Sequence, residues 1–237
     1  CPPQERRSAA GGGGVTRALL TLCAHNRPWR MPPAPPDHFF ALAVPPMGVR
    51  HLFEAAHAAL AAHDARLAAH AVDADAAHVT MAVVRLADPG GELWGGAADP
   101  ERLALAKAAA DAAAAAIGGP LELSVDPTPR VFGPGRVLWL PVAPADRLAG
   151  AAAAVESALQ EHGLEPPRRG PPPRFTPHVT VAKVAWPRRG SIPDAAWAGC
   201  LDGVAPPPPF AATSLQLCAM GNRPPGAYYE VVHEVAL

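Results

Sequence analysis

Residues 174–184 read Arg-Phe-Thr-Pro-His-Val-Thr-Val-Ala-Lys-Val, and residues 77–84 read Ala-His-Val-Thr-Met-Ala-Val-Val. Both segments pass through His-Val-Thr into an apolar run, which predicts two β-strands of similar character. Successive side chains of a strand point to opposite faces, so His78 shares a face with Thr80, and His178 shares a face with Thr180. Each strand therefore offers an imidazole beside a hydroxyl. Bringing the strands together would collect two of each at one place.

The repetition of the tripeptide carries more weight than either copy. One His-x-Thr is unremarkable by chance, whereas two identical copies that both open apolar strands are not. A neutral and a protonated imidazole could take a proton from an attacking oxygen and give one to a leaving oxygen. Thr80 and Thr180 could hold the non-bridging oxygens of a phosphodiester, and this chemistry calls for no metal or cofactor. The competing interpretation is that both histidines only form local hydrogen bonds at the start of a strand.

Composition limits the classes of protein that fit. The chain has 237 residues, 49% of them hydrophobic, and a net charge of −1, which suits one large domain or two small lobes. Coating nucleic acid without sequence preference needs a surplus of Lys and Arg that this chain lacks. The four cysteines show no Cys-x-x-Cys spacing. We therefore predict no zinc site and an intracellular location, cytoplasmic or nuclear. No apolar run reaches the length of about 18 residues that a membrane span needs.

Proline and glycine divide the chain. The 31 prolines and 21 glycines crowd into residues 1–36, 165–173 and 205–209. This distribution predicts a disordered Pro/Gly-rich linker at 1–36 and a folded domain at 37–237. The chain begins at Cys1 and not at a methionine, so we expect it to be part of a longer protein, whose upstream region could add other partners.

Hydrophobic periodicity and turn signals predict the order of the elements. They are a strand at 38–44, a helix at 49–69, the first motif strand at 77–86, a helix at 99–117, a β-meander at 121–142, a helix at 146–162, the second motif strand, a short helix near 194–201, and a hairpin of 214–219 with 228–235. The histidines of the first helical segment step by six or seven residues, which predicts solvated side chains and not a metal site. They are His51, His57, His63 and His70.

This order predicts an α+β fold built from two related lobes. Each motif strand follows a helix that itself follows another strand, so the lobes should be related by a pseudo-twofold. We expect two antiparallel sheets flanking a central groove, with the motif strands on facing sheets and the helices on the outside. Such a groove would receive both His-x-Thr pairs.

The two motifs resemble those of the 2H phosphoesterase superfamily. Within it, the chain is similar to the nuclear-localisation-signal domain of A-kinase anchoring proteins, from residue 38 to residue 237. The similar segments are 174–180 with Lys183, 39–45, 64–67, 217–220 and 228–229. The resemblance implies a bilobal fold, binding of nucleoside monophosphates, and phosphodiesterase activity on 2′,5′ or cyclic phosphate linkages. It makes His78 and His178 catalytic, and assigns the phosphate-holding hydroxyls to Thr80 and Thr180.

Other residues could contact a substrate. Arg174 could meet a phosphate, although an arginine in a Pro-rich loop is more often simply solvated. Phe175 or Tyr228 could stack on a base, with core packing as the alternative for both. Lys183 lies five residues after His178, which places it on the opposite face of a regular strand, so we leave it out of the catalytic set.

The sequence thus predicts a metal-independent phosphodiesterase for 2′,5′ or 2′,3′-cyclic ribonucleotide phosphates. The alternative is a catalytically silent module that senses a nucleotide such as AMP or binds RNA. The expected partner is a nucleotide or a short oligoribonucleotide. We expect no cofactor and no membrane association, and a monomer.

Overall fold

The computed structural model describes residues 35–87, 98–133, 135–164, 174–184, 191–221, 223–224 and 226–237. Most of the predicted linker, residues 1–34, and the whole of the Pro-rich loop at 165–173 lie outside these ranges. The strands are β1 (His38–Ala43), β2 (His78–Val84), β3 (Leu121–Val125), β4 (Arg130–Phe132), β5 (Val137–Ala143), β6 (His178–Lys183), β7 (Phe210–Ala212), β8 (Ser214–Ala219) and β9 (Glu230–Ala236). The helices are α1 (Pro46–His63), α2 (Pro100–Ile117), α3 (Ala145–Glu161) and α4 (Asp194–Trp197).

The described strands form one curled antiparallel sheet. Its order is β7-β3-β5-β6-β2-β1-β8-β9, and β4 pairs with β5. The motif strands β2 and β6 meet at the centre, where Val79 pairs with Val179. The predicted α+β class with antiparallel strands is confirmed. The expectation that the motif strands face each other is wrong, because these two strands are neighbours and join the sheets of the two lobes edge to edge.

Helices α1 and α3 each pack on the motif strand that lies in the other half of the sheet. Helix α1 follows β1 but packs on β6, whereas α3 follows β5 and packs on β2. Helix α2 packs on α3 and on the outer strands β8 and β9. This reciprocal crossover is what a pseudo-twofold requires. It places the helices behind the sheet and leaves the other face of the motif strands free for a cavity.

Helix α1 shows how local sequence sets an element and its end. Its apolar side chains at Leu52, Phe53 and Leu60 are fully buried, each contributing about 1.5–3 kcal/mol by leaving water. The predicted helix ran to residue 69, but α1 ends at His63. Asp64 adopts an extended backbone, and its carboxylate accepts a hydrogen bond from a backbone N–H of the 3₁₀ turn that follows. That side-chain cap competes with continuation of the α-helix.

Helix α2 matches its prediction closely. The Asp99 carboxylate accepts hydrogen bonds from the backbone N–H groups of Glu101 and Arg102, which makes it the N-cap. Gly118 ends the helix at a φ of 78°, a conformation that glycine tolerates best.

The predicted β-meander is only partly correct. β4 and β5 form a hairpin, but β3 pairs with β5 and not with β4, at Ser124–Ala143 and Val125–Val142. Strands β3 and β4 thus lie one after the other along the same edge of β5. Strand β7, which pairs with β3, was not predicted. None of the helices in the described ranges is long and apolar enough to cross a membrane.

Candidate active site

Both motif strands contain a β-bulge just after the His-x-Thr motif. In the pairing of β2 with β1, Thr80 and Ala82 lie across from two consecutive residues of β1, so the residue between them is extra. In the pairing of β6 with β5, Val181 is the extra residue in the same way. A bulge inserts one residue, so the alternation of faces reverses beyond it. Val83 and Lys183 therefore return to the face that carries the histidines and threonines.

One cavity of about 470 Å³ is lined by all four predicted catalytic side chains, His78, Thr80, His178 and Thr180. The central valines of the two motifs are paired directly, and extending that register by one residue sets His78 across from Thr180 and Thr80 across from His178. The histidines are then diagonal neighbours, which in an antiparallel pair lie about 7–8 Å apart at Cα. Two imidazoles at that spacing can reach one phosphate group.

Both imidazoles are oriented by the same local hydrogen bond. Nδ1 of His78 donates to the carbonyl of Ala76 at 2.8 Å, and Nδ1 of His178 donates to the carbonyl of Thr176 at 2.8 Å. A carbonyl only accepts, so Nδ1 carries the proton of each neutral ring and Nε2 keeps its lone pair. Local hydrogen bonding, the competing interpretation of the motifs, is therefore present. It leaves Nε2 of each ring available to a ligand.

Burial favours the uncharged form of both rings in the free protein. Burial lowers the pKa of His78, against the opposing effect of the Ala76 carbonyl, and this pKa is lowered further by Lys183, by Arg223 and by the His178 ring when it is protonated. Burial also lowers the pKa of His178, with Lys183 adding to the effect. A bound anion would act in the opposite sense, because a nearby negative charge favours the imidazolium. The cavity can thus acquire a proton when an anionic ligand enters it.

Aromatic side chains from other elements pack against each imidazole. The contacts, between ring centroids, are Phe39 at 4.8 Å and Tyr229 at 5.2 Å for His78, and Phe132 at 4.9 Å and Trp139 at 5.7 Å for His178. Phe132 also stacks on Trp139 at 4.5 Å. Three of these residues, Phe39, Phe132 and Tyr229, line the cavity. Sequence reasoning did not assign them to the site, because only the strand pairing brings them there.

Lys183 also lines the cavity. Its expected position on the opposite face is wrong, because the β6 bulge reverses the alternation before this residue. No carboxylate is among the described residues that line the cavity. The Arg223 guanidinium lies over the Tyr229 ring, 5.5 Å from its centroid. These charges make the cavity suited to an anion.

The three predicted substrate-contact residues lie elsewhere. Arg174 is exposed, and Phe175 packs against the main hydrophobic core. Tyr228 lines a separate cavity of about 320 Å³. Adjacent residues of an extended segment point in opposite directions, so Tyr229 enters the site where Tyr228 was expected. Core packing, the alternative for Phe175, is what the structure shows.

The histidines of helix α1 are more engaged than predicted. His51 Nε2 donates to the carbonyl of Ala205 at 2.9 Å, and His57 Nε2 donates to the carbonyl of Val181 at 3.0 Å. Because His57 is partly buried, the expectation of a solvated side chain is wrong for this residue, whereas His51 is exposed, as expected. Across the described ranges, no group of three or more His, Cys, Asp or Glu side chains is arranged to hold a metal ion.

The sequence of the chain matches a known family. A family model described as the 2′-5′ RNA ligase superfamily matches residues 49–223, a span that contains both His-x-Thr motifs. The chain belongs to this superfamily. Membership supports chemistry of the phosphodiesterase type. No curated protein matches the chain significantly.

Solved structures share the superfamily fold. The chain is similar to a crystal structure titled only as a phosphoesterase, with a TM-score of 0.53 and 23% identity, over 86% of this chain and 98% of that one. It is also similar to Escherichia coli LigT complexed with 3′-AMP, with a TM-score of 0.54 and 23% identity over the same shares. LigT complexed with NADP+ gives a TM-score of 0.51 at 23% identity, again over 86% of this chain and 98% of LigT. At these identities the likeness establishes the fold, a curled antiparallel sheet with few helices, as in 2H phosphoesterases.

Proposed function

We propose that this chain is a metal-independent phosphodiesterase that acts on 2′,5′-linked or 2′,3′-cyclic ribonucleotide phosphates. The observation that carries the proposal is the convergence of two imidazoles and two hydroxyls in one cavity whose described lining holds no carboxylate. The cavity, about 470 Å³ in volume, falls within the range of about 300–1,000 Å³ that is usual for small-molecule sites. Membership of the superfamily supports the same class of reaction.

The two histidines move the protons in this proposal. For a 2′,5′ linkage, Nε2 of one neutral imidazole takes a proton from the 3′-hydroxyl, whose oxygen attacks phosphorus. The other imidazole, protonated at Nε2, gives its proton to the 5′-oxygen as the phosphorus–oxygen bond breaks. A 2′,3′-cyclic phosphate and a 5′-hydroxyl result. For a cyclic substrate, water attacks in place of the hydroxyl, and a ribose oxygen leaves.

The negative charge of the transition state is held by three other side chains. Thr80 and Thr180 lie across from the histidines and can donate hydrogen bonds to the non-bridging oxygens. Lys183 adds a full positive charge on the same face. Its ammonium is also one cause of the lowered pKa of His78 and of His178. Burial and Lys183 thus favour the neutral form of both rings, while the negative charge of the phosphate favours protonation of one of them.

The bases would lie along the aromatic walls. Tyr229 and Phe132 approach different histidines, so each could contact a different nucleoside of a dinucleotide. Base–aromatic stacking is worth about 1–3 kcal/mol per base and tolerates any base. The proposal therefore favours short oligoribonucleotides with little base preference.

One observation favours a second candidate, a binding module that senses a nucleotide or RNA without turnover. Burial lowers the pKa of both His78 and His178, which disfavours a charged general acid in the free protein. If the phosphate does not restore a proton to one ring, the cavity binds and does not react.

The deciding experiment combines a product assay with calorimetry. Turnover of 2′,5′-diadenylate and of 2′,3′-cyclic AMP would be followed in a chelating buffer, with calorimetric titration of AMP on the same protein. We expect turnover that His78→Ala or His178→Ala abolishes, while the matched His51→Ala variant stays fully active. AMP binding without product would favour the sensor. Equal turnover in the His78→Ala/His178→Ala double variant would refute the enzymatic proposal.

We also propose a branch of the superfamily, a cellular location and an oligomeric state for this chain. The chain resembles the A-kinase anchoring protein branch, and in particular the C-terminal part of leukocyte receptor cluster member 9; a tree of aligned superfamily sequences tests that placement. We propose an intracellular location, cytoplasmic or nuclear, which imaging of a tagged chain would test. We propose that the chain is a monomer, which sedimentation velocity would test.

A further inference from the structure

The β6 bulge is supported from behind by helix α1 and by the segment at residues 71–72. The carbonyl of Val181, the residue inserted by the bulge, accepts a hydrogen bond from the backbone N–H of Val72 at 2.9 Å. The same carbonyl accepts a second hydrogen bond from Nε2 of His57 at 3.0 Å. Next to it, Ala71 and Ala182 form an isolated antiparallel bridge. The bulge therefore has its own set of partners outside the regular ladder of the sheet.

These partners matter because Val181 is fully buried, with 0% of its surface exposed. A bulged residue is unpaired in the ladder, and a buried carbonyl without a partner is costly. The Val72 and His57 donors fill both lone pairs of the Val181 carbonyl, which fixes the position of the extra residue.

The His57 ring is itself held firmly. It projects from the middle of α1, and its neighbour Phe53, which is 1% exposed, contacts it edge to face at 5.9 Å between centroids. A donor that is carried by a helix and packed against a core residue is placed more accurately than one on a loop.

The orientation of Lys183 depends on this bulge. Lys183 lies five residues after His178 and three residues after Thr180. In a regular strand, side chains separated by an odd number of residues lie on opposite faces, so Lys183 would point away from both. With the bulge, Lys183 lines the cavity together with both of them. The equivalent position of the first motif strand is Val83, which carries no charge. Only the second bulge therefore delivers a cation to the site.

We propose that His57 is a positioning residue, whose hydrogen bond to the Val181 carbonyl holds the β6 bulge and so keeps Lys183 turned into the cavity. This inference rests on the proposed function, in which Lys183 meets the substrate phosphate. His57 itself touches no substrate, and its effect passes through Lys183.

The test is a double-mutant cycle read out by the affinity for 3′-AMP, which needs no turnover. His57→Ala is expected to weaken binding about tenfold in the wild-type background and less than about twofold in a Lys183→Met background. His57→Gln, whose amide can reach the same carbonyl, should restore most of the affinity, and the shorter His57→Asn should not. The control is His51→Ala, since His51 lies on the same helix and also donates to a backbone carbonyl, that of Ala205. It should have no effect in either background.

An equal loss in both backgrounds would overturn the inference, because His57 would then act independently of Lys183. Full affinity for 3′-AMP in His57→Asn would also overturn the inference. This variant replaces His57→Ala as the test if His57→Ala does not fold. A crystal structure of ligand-free His57→Asn gives a readout that needs no nucleotide binding. We expect Lys183 turned out of the cavity there, and an unchanged Lys183 would refute the positioning role. The proposed function is refuted separately, by the turnover assay, and the structural test of His57 stands whatever that assay shows.

Discussion

Replacing Lys183 with methionine removes the positive charge from the cavity and keeps a side chain of similar length. Lys183 lies on the face of the catalytic pairs beyond the β6 bulge. We expect Lys183→Met to lower kcat/KM for 2′,5′-diadenylate because the ammonium offsets the charge of the phosphate. Lys107→Met on α2 is the matched control, since Lys107 is not among the residues that line the cavity.

The size of the effect follows from the position of the side chain. Two unit charges about 4 Å apart interact by about 1 kcal/mol in bulk water and by about 4 kcal/mol at an effective dielectric constant of about 20. Lys183 lines a cavity but its side chain is exposed, so the lower half of that range applies. A loss of about 1–2 kcal/mol of transition-state stabilisation corresponds to a fall of about 5-fold to 30-fold in kcat/KM.

The assay is steady-state turnover over a range of pH and salt. Lys183 lowers the pKa of both His78 and His178, so the pH–rate profile of Lys183→Met should move to higher pH. The difference in kcat/KM between the wild type and Lys183→Met should become smaller as the salt concentration rises, because screening weakens interactions between exposed charges. A variant with unchanged kcat/KM and an unmoved profile would refute the placement of Lys183 beside the phosphate.

Three further predictions concern stability and the threonines. The free energy of unfolding should fall as pH drops below about 6.5, by at most about 1.4 kcal/mol per pH unit for each ring. The cause is that burial lowers the pKa of His78 and His178, so the unfolded chain binds protons that the folded one does not. Urea titrations at a series of pH values measure this dependence. In a His78→Gln/His178→Gln double variant, the free energy of unfolding should fall less steeply with decreasing pH, and an equally steep fall would contradict the burial argument. Gly135→Ala should destabilise the fold by about 2–4 kcal/mol, since a Cβ there would lie 2.5 Å from the carbonyl oxygen of Ile192 at a φ of +70°. Gly133→Ala, at a φ of +59° with open space around the new Cβ, should cost only about 1 kcal/mol, and equal losses would rule out the clash. Thr180→Val should lower kcat about 100-fold and weaken AMP binding by a smaller factor, because the hydrogen bond to the phosphate strengthens as charge develops in the transition state. Single-turnover kinetics and calorimetry measure the two effects, and an unchanged kcat would remove this hydroxyl from the mechanism.

The elements of the fold could be predicted where local signals are strong. Helix α2 is marked by Asp99 and Gly118, and strand β8 was predicted with its observed bounds. The pairing of strands was harder, because β3 and β4 compete for the same edge of β5 and nothing in their sequences decides the order. Long-range pairing depends on the packing of the whole sheet and not on the residues of one strand.

The candidate site divides in the same way. His78 and His178 could be assigned from a repeated tripeptide, because the strand period alone sets each of them beside a threonine. Lys183 could not be assigned, because a bulge reverses the face and the hydrogen bonds to that bulge come from His57 and Val72, more than a hundred residues earlier. Phe39, Phe132 and Tyr229 reach the cavity only through tertiary pairing. Their apolar and aromatic character predicts core packing equally well.

The most direct test of the shared site is a crystal structure of the protein with 3′-AMP bound. We predict that Nε2 of His78 and Nε2 of His178 both lie within about 3 Å of oxygens on the same phosphorus atom, with Thr80, Thr180 and Lys183 on the remaining oxygens. A phosphate held by one motif alone, or bound outside this cavity, would contradict it.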